Sequence, residues 1–180
     1  MVGLLERMRR DAARGALVLD GTRYLVIRPE TVVTFQKRVE AVLGAARGGD
    51  VVAEGGFEGG RLSTHRFLAA GFDARGAAEA MSVMAPEIGW GRFEITGYDP
   101  AARRLEVVVY GSPFAEAYGP SAGACVCHLI RGVVHGMAAA SFPGGEGLAA
   151  RETECTAAGA PACRFVVEPR RALGHWALPD

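Results

Sequence analysis

The sequence lacks several features that would assign it to a common functional class. None of its apolar runs approaches the ~18 uninterrupted residues that a membrane-spanning helix requires. Its 20 Lys and Arg residues balance its 20 Asp and Glu residues, so no excess of charge draws the chain toward nucleic acid or an acidic membrane. We therefore expect no membrane span and no nucleic-acid partner.

Secretory and cofactor signals are also missing. The first residues, Met1–Arg7, include charges and no apolar stretch of secretory length, so a cytoplasmic protein with reduced thiols is expected. Gly55–Gly60 is glycine-rich but lacks the Gly-Lys-Ser/Thr of a phosphate loop, and no Gly-x-Gly-x-x-Gly follows a strand. Because no site for a hydride donor is visible, the sequence does not favour an enzyme.

Cysteines are few, yet three of the four lie close to a carboxylate in the C-terminal part of the chain. Glu152, Cys155 and Cys163 fit a hairpin with a turn at Gly159–Pro161, and Cys127 opens a predicted helix. Three thiolates and one carboxylate favour tetrahedral Zn²⁺, and four protein ligands indicate a structural site. The candidate zinc ligands are Cys127, Glu152, Cys155 and Cys163.

Alternatives to this ligand set remain open. On a regular helix Cys125 and Cys127 are separated by about 200° of rotation, so only one of them can face the ion, and the sequence favours Cys127. His128 and His135 are competing nitrogen ligands. The cysteines can also be buried free thiols without a metal, or form disulfides. Arg151 or Arg164 is expected to balance the negative charge of the site.

The remaining sequence predicts one α+β domain. Helices are expected at Met1–Arg14, from Pro29 to Gly44, around Gly55–Gly60, at Ala74–Met84 and at Cys127–Ala140. Ala45–Asp50 is predicted as a loop. Strands are expected at Leu17–Leu19, Tyr24–Ile27, Arg92–Gly97, Arg104–Tyr110 and in the hairpin of Cys155. We expect an antiparallel sheet of four to five strands with helices packed on it and a C-terminal hairpin held by zinc.

Four segments of the chain resemble the 4-vinyl reductase (4VR) domain family. They are Gly89–Glu94, Ser112–Gly119, Cys127–Gly132 and the pattern Glu152-x-x-Cys155-x₇-Cys163. The resemblance extends from Leu17 to Pro169. It implies an N-terminal helix at 1–16, a ligand-binding domain at 17–169 and a C-terminal tail at 170–180.

The family resemblance also implies a function. Its members include predicted hydrocarbon-binding proteins and the sensor domains of phenol- and xylene-responsive activators, whose zinc ligands correspond to Cys127, Glu152, Cys155 and Cys163. The leading hypothesis is a non-catalytic sensor or carrier of an apolar or aromatic small molecule, forming a homodimer and reporting to a separate effector protein. Candidate pocket residues are Trp90, Phe93, Tyr110 and Phe114.

Two other functions are compatible with the resemblance. One is an accessory protein that binds a tetrapyrrole intermediate during (bacterio)chlorophyll synthesis, as the family name implies. The other is a protein-interaction adaptor, since the family fold is similar to that of subunits of a Golgi transport particle. The sequence identifies neither the ligand nor the partner.

Overall fold

The computed structural model describes residues 4–170, so most of the predicted tail at 170–180 lies outside the described residues. The helices are α1 (Leu4–Arg7), α2 (Pro29–Leu43), α3 (Ala45–Ala69), α4 (Ala74–Glu87), α5 (Pro113–Tyr118) and α6 (His128–Ser141). The strands are β1 (Arg9–Asp11), β2 (Ala16–Leu19), β3 (Thr22–Tyr24), β4 (Arg92–Asp99), β5 (Arg104–Tyr110), β6 (Leu148–Glu154) and β7 (Cys163–Pro169). Short 3-10 turns occupy Gly145–Gly147 and Thr156–Ala158.

A four-stranded antiparallel sheet organises the C-terminal half, with strand order β4-β5-β7-β6. Its two central strands are rich in β-branched residues, which suit a pleated buried surface. Val107, Val109, Phe165 and Val167 have no exposed surface, and α6 covers this side of the sheet. The predicted α+β class, with helices on an antiparallel sheet, is confirmed.

The N-terminal residues form a second, smaller sheet, which differs from the prediction. Strands β1, β2 and β3 pair in sequence order, whereas a helix was expected over Met1–Arg14. The helix ends at Arg7, and Arg9–Asp11 pairs with Ala16–Leu19. Gly15 has a φ of 57°, which favours a chain reversal here, and strand pairing overrides the weak helical periodicity. The second predicted strand, Tyr24–Ile27, is displaced to Thr22–Tyr24.

Helices α2 and α3 form an antiparallel pair joined at one residue, Gly44. Its φ of 82° makes the reversal at little cost for glycine. The predicted loop at Ala45–Asp50 is therefore wrong, because these residues form the first turns of α3. The predicted helix from Pro29 to Gly44 is confirmed.

Glycines allow α3 and α6 to approach backbone to backbone. A Cβ added at Gly56 or Gly60 would lie 2.1 or 2.2 Å from a carbonyl oxygen of α6, and one at Gly132 or Gly136 would lie 2.0 Å from a carbonyl oxygen of α3. Such separations are far below van der Waals contact. The prediction that Gly55–Gly60 belongs to a helix with a smooth face against a neighbour is confirmed.

The orientation of α2 is unusual for an amphipathic helix. The sequence places an apolar stripe at Val32, Phe35, Val39 and Val42, which normally faces a core. In the structure Phe35 is 67% exposed and Val42 is 81% exposed, while Gln36 is buried. None of the helices within residues 4–170 is both long enough and apolar enough to cross a membrane.

Candidate functional site

The structure brings together the side chains of Cys127, Glu152, Cys155 and Cys163, here called the Cys₃Glu cluster. One potential ligand atom from each lies within 4.8 Å of the others. The Cys127 Sγ to Cys163 Sγ distance is 3.6 Å, and the Cys163 Sγ to Cys155 Sγ distance is 4.0 Å. These are free thiols rather than disulfides, because a disulfide needs about 2.05 Å.

A β-bulge explains how Glu152 and Cys155 reach one site although they are three residues apart. In a regular strand such residues point to opposite faces of the sheet. Glu152 pairs with Phe165, but Glu154 pairs with Arg164, so Thr153 is an extra residue. The bulge reverses the alternation, and Cys155 joins Glu152 on the inner face.

The other two cysteines of the cluster come from the ends of regular elements. Cys163 is the first residue of β7 and shares the inner face with Phe165. Cys127 is the N-cap of α6 rather than a residue within it. The positive end of the α6 dipole therefore faces the cluster, where it favours thiolates and a carboxylate.

The cluster geometry fits a tetrahedral metal ion. Two sulfurs bound to one Zn²⁺ at about 2.3 Å each lie roughly 3.8 Å apart, and the two observed sulfur separations lie on either side of this value. Glu152 Oε2 accepts the Cys127 N–H at 2.8 Å. Its second oxygen, Oε1, is buried without a hydrogen-bond partner among the residues that the structure describes. A cation among the sulfurs would give this oxygen a ligand.

Two hydroxyl residues that the sequence analysis did not single out surround the sulfurs. Ser112 Oγ lies 3.2 Å from Cys127 Sγ and also caps α5. Thr156 donates its backbone N–H to Cys163 Sγ at 3.4 Å, and its hydroxyl lies 3.5 Å from the same atom. The only sequence signals for them are the Ser-Pro helix start and the position directly after Cys155.

Burial and mutual hydrogen bonding strongly perturb the acidities in the cluster. Burial, followed by the neighbouring Cys155 thiol, raises the pKa of Glu152 to about 8. Hydrogen bonds with Cys155 and Cys163, together with burial, raise the pKa of the Cys127 thiol. Hydrogen bonds with Cys127, Cys155 and Thr156 lower the pKa of Cys163. Cys163 is therefore the sulfur that the protein best stabilises as a thiolate.

The competing ligands lie elsewhere. Cys125 is half-buried and outside the cluster, and burial raises its pKa to about 11. The helical argument against Cys125 used a wrong premise, since both cysteines precede α6. His128 Nε2 lies 3.5 Å from Glu40 of α2, and the His135 ring contacts Phe57.

The expected charge balance by arginine is not observed. Arg151 pairs with Glu168 at 2.8 Å, and Arg164 pairs with Glu154 at 3.4 Å. Both ion pairs are at least partly exposed. The described hydrogen bonds to the cluster come instead from backbone N–H groups and hydroxyls.

A mainly apolar cavity of about 400 Å³ lies between α3, α4, α6 and the segment that follows β3. Four of the five methionines in the chain line it: Met8, Met81, Met84 and Met137. Methionine is flexible and adapts to irregular shapes. Val133 and Met137 of α6 form one wall, so the helix that begins at the cluster continues along the cavity.

The four predicted pocket aromatics take different positions. Trp90 and Phe93 line the cavity. Phe114 packs edge-to-face on Trp90 with ring centroids 5.1 Å apart, so it supports the cavity wall. Tyr110 is exposed, with the Arg92 guanidinium 4.0 Å from its ring centroid, and it does not line the cavity. Met81 and Met84, expected to be core residues, line it.

These features define the chain as an α+β domain with an antiparallel sheet, a cluster that can hold a metal ion and an apolar cavity. Residues 105–169 match the model of the vinyl-4-reductase (4VR) domain family. The match includes β5, α5, α6, β6 and β7, and with them all four cluster residues. It confirms the resemblance to the 4-vinyl reductase family.

Solved structures share the fold at low sequence identity. The phenol-responsive sensory domain of the transcription activator PoxR, solved with phenol, is 22% identical with a TM-score of 0.77, covering 92% of this chain and 86% of that chain. Subunit 3 of a trafficking protein particle complex from Naegleria fowleri, covalently bound to palmitic acid, is 12% identical with a TM-score of 0.56, covering 79% and 95%.

A vinyl-4-reductase family protein from Methanocaldococcus jannaschii is also similar, with 15% identity, a TM-score of 0.54 and coverage of 82% of this chain and 84% of that one. Comparison with curated proteins finds no significant match. The structural similarities therefore concern the fold.

Proposed function

We propose that this protein is a non-catalytic sensor or carrier that binds an apolar or aromatic small molecule in the cavity beside α6. The observation that carries the proposal is the methionine-lined cavity of about 400 Å³. Ligand sites are typically concave, largely apolar and preformed. The similarity in fold to a phenol-responsive sensory domain supports the same interpretation.

The lining of the cavity indicates the chemistry of the ligand. Polar side chains are few, and Ser63 and Glu87 are among them. A ligand that is apolar over most of its surface, with at most a small polar group, is therefore favoured. The volume is near the lower end of the roughly 300 to 1,000 Å³ found for ligand pockets, which favours a compact ligand over a tetrapyrrole macrocycle.

The Cys₃Glu cluster is proposed to hold structural zinc. Four protein ligands would complete a tetrahedral shell and leave no open position for catalysis. The ion would tie the β6–β7 hairpin to the start of α6. Because later turns of α6 line the cavity, the site would stabilise one wall of the ligand pocket.

The family resemblance adds three further elements to the proposal. The protein would act in the cytoplasm, form a homodimer and transmit ligand binding to a separate effector protein. The neutral net charge of the chain supports a protein partner rather than nucleic acid.

Filling the cavity at one position should abolish ligand binding. Gly59 lines the cavity, and a Cβ built there meets no atom within 4 Å. Gly59→Leu should therefore project an apolar side chain into the cavity without disturbing the fold. We expect the variant to lose at least about tenfold in affinity for the neutral fluorescent probe N-phenyl-1-naphthylamine, equivalent to about 1.4 kcal/mol, in a fluorescence titration.

Gly55→Leu is the matched control, because Gly55 lies one turn earlier on α3, is equally open and does not line the cavity. It should bind the probe as the wild type does. Equal binding by Gly59→Leu, or equal loss in both variants, would contradict the proposed site. Probe binding should also raise the wild-type Tm.

A further inference from the structure

Helix α2 presents most of its apolar stripe to solvent. Val32, Phe35, Val39 and Val42 follow the alternating spacing of three and four residues that is typical of a helix–helix seam. At about 100° per residue, the centre of this stripe lies roughly 100° around the helix from the inward side that contains Gln36 and Glu40. Val32, at the start of the helix, is partly buried against the core, and the exposure rises toward Val42.

Polar contacts fix α2 in this orientation. Gln36 Nε2 donates to Val126 O at 2.9 Å and to Glu40 Oε1 at 2.8 Å. The other oxygen of Glu40 accepts the Tyr118 hydroxyl at 2.8 Å. Turning the apolar stripe inward would break these bonds and leave buried polar groups without partners, which costs about 1 to 3 kcal/mol for each group.

Helix α3 extends the apolar surface. Gly48 meets the backbone of Glu40 on α2, whereas Gly56 and Gly60 meet α6. The helical rotation places exposed Val51 and Leu62 on the same side of α3 as Gly48. We define the α2–α3 face as the resulting surface: Val32, Phe35, Val39, Val42, Val51 and Leu62.

We propose that the α2–α3 face packs against the same face of a second copy of this chain. Its exposed apolar side chains amount to roughly 500 Å², most of the roughly 800 Å² that each partner contributes to a standard interface. The six residues are uncharged, so two copies can meet without like-charge contacts within the stripe. This proposal does not depend on the cavity or on the metal.

The charges of the chain argue against a membrane as the partner. A helix that lies on a membrane normally combines its apolar face with a strongly basic flank. Along α2 the charged residues are mixed: Glu30, Lys37, Arg38 and Glu40. Lys37 is also engaged, because its Nζ donates to Tyr118 O at 2.8 Å. A surface of this kind suits a protein partner.

Sedimentation equilibrium of the full chain at micromolar concentrations tests the proposal. The wild type should have twice the mass of the chain. Phe35→Glu and, separately, Val42→Lys should each raise the dimer dissociation constant at least about a hundredfold and yield a monomer. Val83→Glu is the control, because Val83 is 61% exposed on α4 and lies outside the face.

Circular dichroism must show that each variant is folded, and if Phe35→Glu is unfolded, Val42→Lys decides the result. A monomeric wild type would overturn the proposal, as would dimers in both face variants or dissociation of Val83→Glu. Binding of a wild-type monomer to vesicles of phosphatidylcholine and phosphatidylserine would assign the face to a membrane and would also contradict it.

Discussion

Replacing Cys163 with serine is expected to remove the bound metal and lower the Tm by at least about 10 °C. Cys163 has no exposed surface and lies 3.6 and 4.0 Å from the other two cluster sulfurs. Loss of a structural metal site costs several kcal/mol of folding free energy, and each kcal/mol corresponds to roughly 2 to 4 °C in a chain of this size. Cys155→Ser should behave in the same way. Differential scanning calorimetry with zinc analysis of the same samples measures both effects.

Cys125→Ser supplies the control for this experiment. Cys125 lies two residues before Cys127 but outside the Cys₃Glu cluster, so the variant should retain its metal and melt close to the wild type. If Cys163→Ser melted like the wild type, the cluster would not stabilise the fold through a metal. If Cys125→Ser lost the metal while Cys127→Ser retained it, the assignment of the helix-side ligand would be wrong.

Adding one methyl group at Gly132 is expected to destabilise the protein by about 3 kcal/mol or more. The new Cβ would lie 2.0 Å from the carbonyl oxygen of Ala53 and 2.8 Å from the backbone nitrogen of Phe57. Since both partners are backbone atoms within α3, relief requires the two helices to separate. Gly132→Ala should therefore lower the Tm by roughly 6 to 12 °C, as measured by thermal unfolding.

Gly55→Ala should have the opposite sign. A Cβ at Gly55 meets no atom within 4 Å, and alanine is favoured over glycine within a helix by up to about 1 kcal/mol. We expect a Tm higher by roughly 2 to 4 °C. Similar destabilisation by both substitutions would show that the close approach of α3 to α6 does not determine the cost.

The cluster and the C-terminal hairpin could be predicted because their determinants are local. Turn residues between Cys155 and Cys163 and alternating residues after Cys163 define the hairpin. The sequence also places Cys127 next to a helical segment. The bulge at Thr153 was not predicted, although it follows from the demand that Glu152 and Cys155, three residues apart, reach one site.

The cavity and the orientation of α2 could not be predicted, because they depend on packing between distant elements. Met81 and Met84 are spaced like core residues, and only the positions of α3 and α6 make them cavity residues. Similarly, the stripe containing Phe35 resembles a core face. The polar contacts of Glu40 with Tyr118, which is distant in sequence, turn it outward.

The zinc coordination of the purified protein tests the central claim most directly. Elemental analysis should find about one zinc per chain, and X-ray absorption at the zinc edge should show about three sulfur ligands near 2.3 Å with one oxygen near 2.0 Å. Protein that contains no zinc and takes up none at micromolar concentrations would contradict the account, as would a spectrum without sulfur ligands.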